Sequence, residues 1–134
     1  MESVFKYQST VDAFDWEFIG QETEIFGKKQ SVAAVKIFSL QLIIEEIVTN
    51  VIKYGRQTGK EIISVEAEAK DDGVILTIRD NSAPFNPLET KLTDTTLSVE
   101  ERDIGGLGLV LVRKKAKSIE YVYENEWNVV NVLI

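Results

Sequence analysis

Cysteine and histidine are both absent from this chain of 134 residues. Without cysteine there is no disulfide and no thiolate metal site. Without histidine there is no imidazole metal ligand, no Ser-His-Asp triad and no self-phosphorylation on histidine. Proline occurs only at Pro84 and Pro87, within one short segment. No apolar run reaches membrane-spanning length, because the richest stretch is interrupted by Gln41, Glu45, Glu46, Thr49 and Asn50. The start, Met1-Glu2-Ser3-Val4-Phe5-Lys6, lacks the basic-then-apolar layout of a signal peptide. Positive charge is scarce too: 15 Lys and Arg stand against 22 Asp and Glu, a net charge of −7. The tight basic cluster is Arg113-Lys114-Lys115 with Lys117. This balance argues against a broad basic surface for nucleic acid. The expectation is one cytoplasmic globular domain that binds neither nucleic acid nor membrane.

What is present is a strong change of hydrophobic period along the chain. Val4 to Thr10 reads as a first strand. Asp12 is placed to cap a helix from about Ala13 to Phe26, with Gly27-Lys28-Lys29 as its stop. A second, largely apolar helix is predicted from about Val32 to Tyr54, closed by Gly55. Ile62 to Ala67 and Val74 to Ile78, around Asp71-Asp72-Gly73, read as a β-hairpin. The two prolines make residues 80–87 a loop. Leu88 to Asp103 has no clear period and reads as a flap. Gly105-Gly106-Leu107-Gly108-Leu109 opens a third helix to about Lys117. Ile119 to Tyr123 and Trp127 to Leu133 form a last hairpin. Helices and strands do not strictly alternate. That order predicts an α+β two-layer sandwich, in which a mixed, mostly antiparallel sheet carries all three helices on one face.

Three groups of residues carry chemistry. On the second helix, Glu46, Asn50 and Lys53 stand at i, i+4 and i+7. At about 100° per residue they fall within roughly 40° of one face. A carboxylate there can orient or deprotonate a nucleophile, and an amide oxygen suits Mg²⁺. The ordinary alternative is a solvated stripe on an amphipathic helix. Asp80, beyond a strand and followed by Ser82, Pro84 and Phe85, can accept a hydrogen bond from an exocyclic amine such as adenine's. Read plainly, the same residues have common turn chemistry. The glycine cluster at a helix start lets backbone N–H groups approach an anion; alone it is only a flexible helix start.

The order and spacing of the three groups add to this. Glu-x-x-x-Asn-x-x-Lys-Tyr, then Asp-x-x-x-Pro-Phe-x-Pro, then Gly-Gly-Leu-Gly-Leu resemble the N, G1 and G2 boxes of the GHKL (Bergerat-fold) ATPase superfamily. The short chain most resembles its anti-sigma factor serine/threonine kinase branch. The resemblance covers nearly the whole chain. It implies Glu46 as catalytic base, Asn50 as Mg²⁺ ligand and Lys53 as a phosphate contact. It makes Asp80 the reader of adenine, and wraps Gly105, Gly106, Leu107, Gly108 and Leu109 around the triphosphate. Asn131 takes the place of a Thr or Ser that assists adenine binding. Ser82 stands where glycine is usual, and Tyr54 where this branch often has histidine. Glu45 lies about 100° from Glu46, so one of the two should face the cleft; the box alignment selects Glu46.

The function so implied is an ATP-Mg²⁺-dependent serine kinase. It would phosphorylate a STAS-type antagonist protein and alternately hold a sigma factor. Dimerisation is common in the branch, without a signature here. A non-catalytic ATP-binding module of the same fold is the alternative. A detached histidine-kinase catalytic domain would need its phosphoacceptor histidine on another chain.

Overall fold

A computed structural model of the protein describes residues 4–71, 73–89 and 104–134, with residues 104–108 as backbone only. Of the predicted flap, residues 90–103 lie outside the described residues, as does Asp72 of the predicted hairpin turn. Strand β1 is Val4–Thr10, helix α1 Trp16–Lys29 and helix α2 Ala34–Asn50, which runs on into a π-helical turn, Val51–Gly55. Strands β2 (Ile62–Lys70) and β3 (Gly73–Asp80) form a hairpin. Helix α3 (Ile104–Lys115) and strands β4 (Ser118–Glu124) and β5 (Trp127–Leu133) complete the described fold.

The sheet order is β1-β2-β3-β5-β4. All four pairings are antiparallel, rather than mixed as predicted. The connections explain it. Two helices between β1 and β2 cross the sheet twice, so β2 returns antiparallel beside β1. A single helix between β3 and β4 leaves those two strands pointing the same way, but β5 inserts between them.

Side chains alternate along each strand. One sheet face, with Ile63, Val65, Ala67, Val74, Leu76, Ile78, Val130 and Val132, packs into the core with residues of all three helices. Leu40, Ile43, Ile44, Ile47, Val48 and Val51 of α2 and its π turn are at most 1% exposed. Each such burial stabilises by roughly 1.5–3 kcal/mol. Packing therefore fixes α2, a helix rich in β-branched residues with no side-chain N-cap bond.

Both predicted boundaries of α1 move, for physical reasons. Its cap is Asp15, whose side chain accepts from the Phe18 N–H. Asp12 instead holds Arg56 through two bonds, Nε to Oδ1 at 2.7 Å and Nη2 to Oδ2 at 3.0 Å. Gly27 does not end the helix. A Cβ there would lie 2.5 Å from Ile37, so this glycine lets α1 and α2 approach.

The loop after the π turn folds around a carboxylate. Glu61 accepts from the backbone N–H groups of Gln57 (3.2 Å), Thr58 (2.8 Å) and Gly59 (2.9 Å), and from the Thr58 hydroxyl (3.0 Å). These donors, the Thr58 amide foremost, hold the Glu61 pKa down from 4.5 to about 2. A depressed carboxylate stabilises the fold above its unfolded pKa and loses that contribution as pH falls through its folded one. An NMR titration of Glu61 should show a midpoint near 2, with this loop loosening only below it. A midpoint near 4.5 would mean that the loop does not wrap Glu61.

Candidate functional site

Helix α2 brings a carboxylate and an amide to the helix-facing end of β3. Asn50 is fully buried, and its Nδ2 donates to the Pro87 carbonyl at 3.1 Å. That bond turns Oδ1 away from the loop. Oδ1 is itself buried and accepts no hydrogen bond among the described residues. A buried amide oxygen in that state is costly unless a ligand uses it. It is a hard donor of the kind Mg²⁺ takes, so the residues present fit that ion. Glu46, one turn before Asn50, is half-buried with its Oε2 enclosed, whereas Glu45 is exposed.

Lys53 is placed differently. It lines a groove of about 530 Å³ with Trp16, Glu45, Thr49 and Ile52. The π turn closes with i→i+5 bonds and so advances fewer degrees per residue than an α-helix. Lys53 therefore falls short of the Glu46–Asn50 side and joins the Glu45–Thr49 side. Its Nζ lies 5.6 Å from the Tyr54 ring centre. Tyr54 in turn packs its ring 5.8 Å from Phe85, and joins the end of α2 to the loop after β3.

That loop is organised around Asp80, which is 2% exposed. Asp80 Oδ1 accepts from the Ser82 hydroxyl, from the Ser82 N–H at 3.2 Å and from Asn128 Nδ2 at 2.9 Å. No donor among the described residues reaches Oδ2, which leaves it for an incoming amine. Burial pushes the Asp80 pKa up, against the opposing bonds from Ser82 and Asn128. Ser82, the residue in place of the usual glycine, is buried as a partner of Asp80. Gly55 is packed so closely on it that a Cβ would lie 2.9 Å from Ser82 Oγ. Pro84 is exposed and Phe85 half-buried.

Asn128 is the residue of this candidate site that sequence reasoning missed. It is 1% exposed and sits opposite Asp80 in the β3–β5 register. Its Oδ1 accepts from the Phe85 N–H at 2.9 Å and from the Tyr121 hydroxyl at 2.5 Å. Two donors on one atom identify it as the oxygen, so Nδ2 is the end that faces Asp80. Burial holds the Tyr121 phenol above its ordinary pKa, so it stays a neutral donor. Nδ2 also reaches the carbonyls of Ser82 (3.3 Å) and Ala83 (3.1 Å). One amide thus ties β3, β4, β5 and the loop together. The sequence points instead to Asn131. It lies three residues further along β5, hence on the opposite sheet face, where its Oδ1 accepts from Thr77 at 3.0 Å. The signal that could have separated the two is strand register: Asn128 and Asp80 each share a face with the core valines and isoleucines of their strand.

The glycine cluster occupies the first turn of α3, whose backbone begins at Ile104. Gly105, Gly106, Leu107 and Gly108 thus stand at a helix N-terminus, the arrangement that suits an anion. Leu109 is a core residue, 3% exposed, which leaves only its backbone for a ligand. A second groove of about 390 Å³ lies on the open sheet face, lined among others by Gln8, Ser64, Arg79 and Trp127. Neither groove is lined by Glu46, Asn50 or Asp80. The convergent polar atoms, rather than hollow size, mark the site.

Residues 19–134 match the profile of the histidine kinase-like ATPase domain. The match spans most of the chain, and the chain belongs to that family. It is an ATP-binding regulatory domain of the kinase and ATPase type. No curated protein matches it. No helix among the described residues is long and apolar enough to cross a membrane.

Proposed function

We propose that this protein is a cytoplasmic ATP-Mg²⁺-dependent serine/threonine kinase of the anti-sigma factor type. It phosphorylates a serine of a STAS-type antagonist and switches between that partner and a sigma factor. The observation that carries this reading is the pairing of Glu46 with Asn50. A half-buried carboxylate stands one turn from a buried amide oxygen that accepts no hydrogen bond among the described residues. Asp80, held by Asn128 and Ser82, receives the adenine amine. Asn50 would hold Mg²⁺, which when bound neutralises charge on the phosphoryl oxygens. Glu46 orients the serine hydroxyl and takes its proton as the serine oxygen bonds to the γ-phosphorus. The bond from that phosphorus to the ADP oxygen breaks.

The placement of Lys53 favours a second reading, since it removes one expected phosphate contact from the Glu46 side. In that reading ATP is bound without transfer. A labelled-ATP assay with the antagonist separates the two. Glu46→Ala should cut transfer by about 100-fold or more and leave ATP binding in place. Absence of transfer by the wild-type protein would leave the non-catalytic reading standing, and undiminished transfer by the variant would remove Glu46 as the base.

A further inference from the structure

We propose that the outer face of α2 and α3 docks an acidic, apolar-studded helix of a partner protein. This goes beyond the nucleotide site and stands whether or not that site transfers phosphate. Two stretches, residues 25–44 and 104–119, contain none of the 22 acidic residues. The fold packs their helices side by side, with Lys115 Nζ 5.6 Å from the Phe38 ring centre. On this face Val35 is 66% exposed, Phe38 58% and Leu111 45%, a cluster that the core leaves unused. Lys114 and Lys117 are exposed beside them. Cations on the α1 side are engaged elsewhere: Lys28 pairs with Glu24 at 3.4 Å, and Lys36 borders a hollow at the α1–α2 turn.

Charge complementarity names the chemistry of the occupant. In a protein with net charge −7 these two helical stretches carry cations and no acids, so among the described residues their face attracts an acidic partner that the rest repels. Geometry names its shape. Val35 and Phe38 are about one turn apart on α2, as are Leu111 and Lys115 on α3, the spacing at which one helix face meets an amphipathic helix. On this face the Lys115 ammonium and the Phe38 ring lie side by side. In a bilayer interface they would separate into a charged layer above an apolar one, so a protein helix fits better than a lipid surface.

The test is fluorescence anisotropy of a labelled Leu/Glu amphipathic peptide, about five turns long, titrated with the whole chain. Binding is expected, and it should weaken several-fold with added salt. The same peptide with Lys in place of Glu should not bind. The double variant Lys114→Glu, Lys115→Glu and the single variant Phe38→Ser should each weaken binding about tenfold while keeping ATP binding. Lys6→Glu with Lys70→Glu makes the same change of net charge on the open sheet face and should retain the peptide. Three results would overturn the proposal: no peptide binding, equal loss in the sheet-face control, or capture by phosphatidylserine vesicles that the Lys114/Lys115 variant abolishes.

Discussion

Asp80→Asn is expected to cost about 100-fold or more in ATP affinity while leaving the protein as stable as the wild type, or more so. An ionised carboxylate only accepts. The described bonds to Asp80 fall on Oδ1, which leaves Oδ2 for the adenine amine. Asparagine keeps an oxygen for Ser82 and Asn128 but puts an N–H group where the amine arrives, so two donors face each other. Stability moves the other way because burial raises the Asp80 pKa above its ordinary 3.8. For a carboxylate so raised, the contribution to folding is complete below the unfolded pKa and is lost as pH rises through the folded one. At neutral pH the charge therefore opposes folding, and asparagine removes it. ATP affinity of the wild type should correspondingly rise as pH climbs through the raised value. Calorimetric titration and thermal melts of the same samples check both halves. Intact ATP binding, or a large drop in melting temperature, would refute the assignment.

The second large effect is on folding. Asn128→Ala should destabilise the protein by about 3 kcal/mol, because it leaves several buried groups unmatched at once. The Phe85 N–H and the Tyr121 hydroxyl lose their acceptor, and Asp80 loses a donor. ATP binding should fall with it, since the loop from Ser82 to Phe85 is no longer tied to β5. Asn131→Ala is the control. It releases one hydroxyl, that of Thr77, on the open face and should cost less than about 1 kcal/mol. Urea denaturation at neutral pH compares the two. Equal costs would mean that register does not distinguish them.

These two asparagines show where reading the sequence reaches its limit. Alternation made β1 and the last hairpin legible, because a strand with one buried face repeats every two residues. The two layers followed from element order. Asn131 and Asn128 lie on opposite faces of β5, and both faces carry apolar residues, Val129 and Leu133 beside Asn131 and Val130 and Val132 beside Asn128, so alternation alone does not say which face is the core. Asp12 and Gly27 looked like the cap and stop of α1. Each is instead spent on a distant partner: Arg56, 44 positions away, and Ile37 of the next helix. The π turn has no side-chain signature, so a uniform 100° count carried Lys53 to the wrong side. Glu46, Asn50 and Asp80 can be singled out from the sequence because their chemistry and order are local features of the chain.

The proposed function places ATP between α2 and the loop after β3, with adenine on Asp80. Amide chemical-shift mapping with Mg²⁺-ATP tests it most directly. Perturbations should concentrate at Glu46 to Gly55, Asp80 to Leu88 and Asn128. Perturbations confined to Gln8, Ser64, Arg79 and Trp127, around the open-face groove, would place the nucleotide elsewhere and contradict the account.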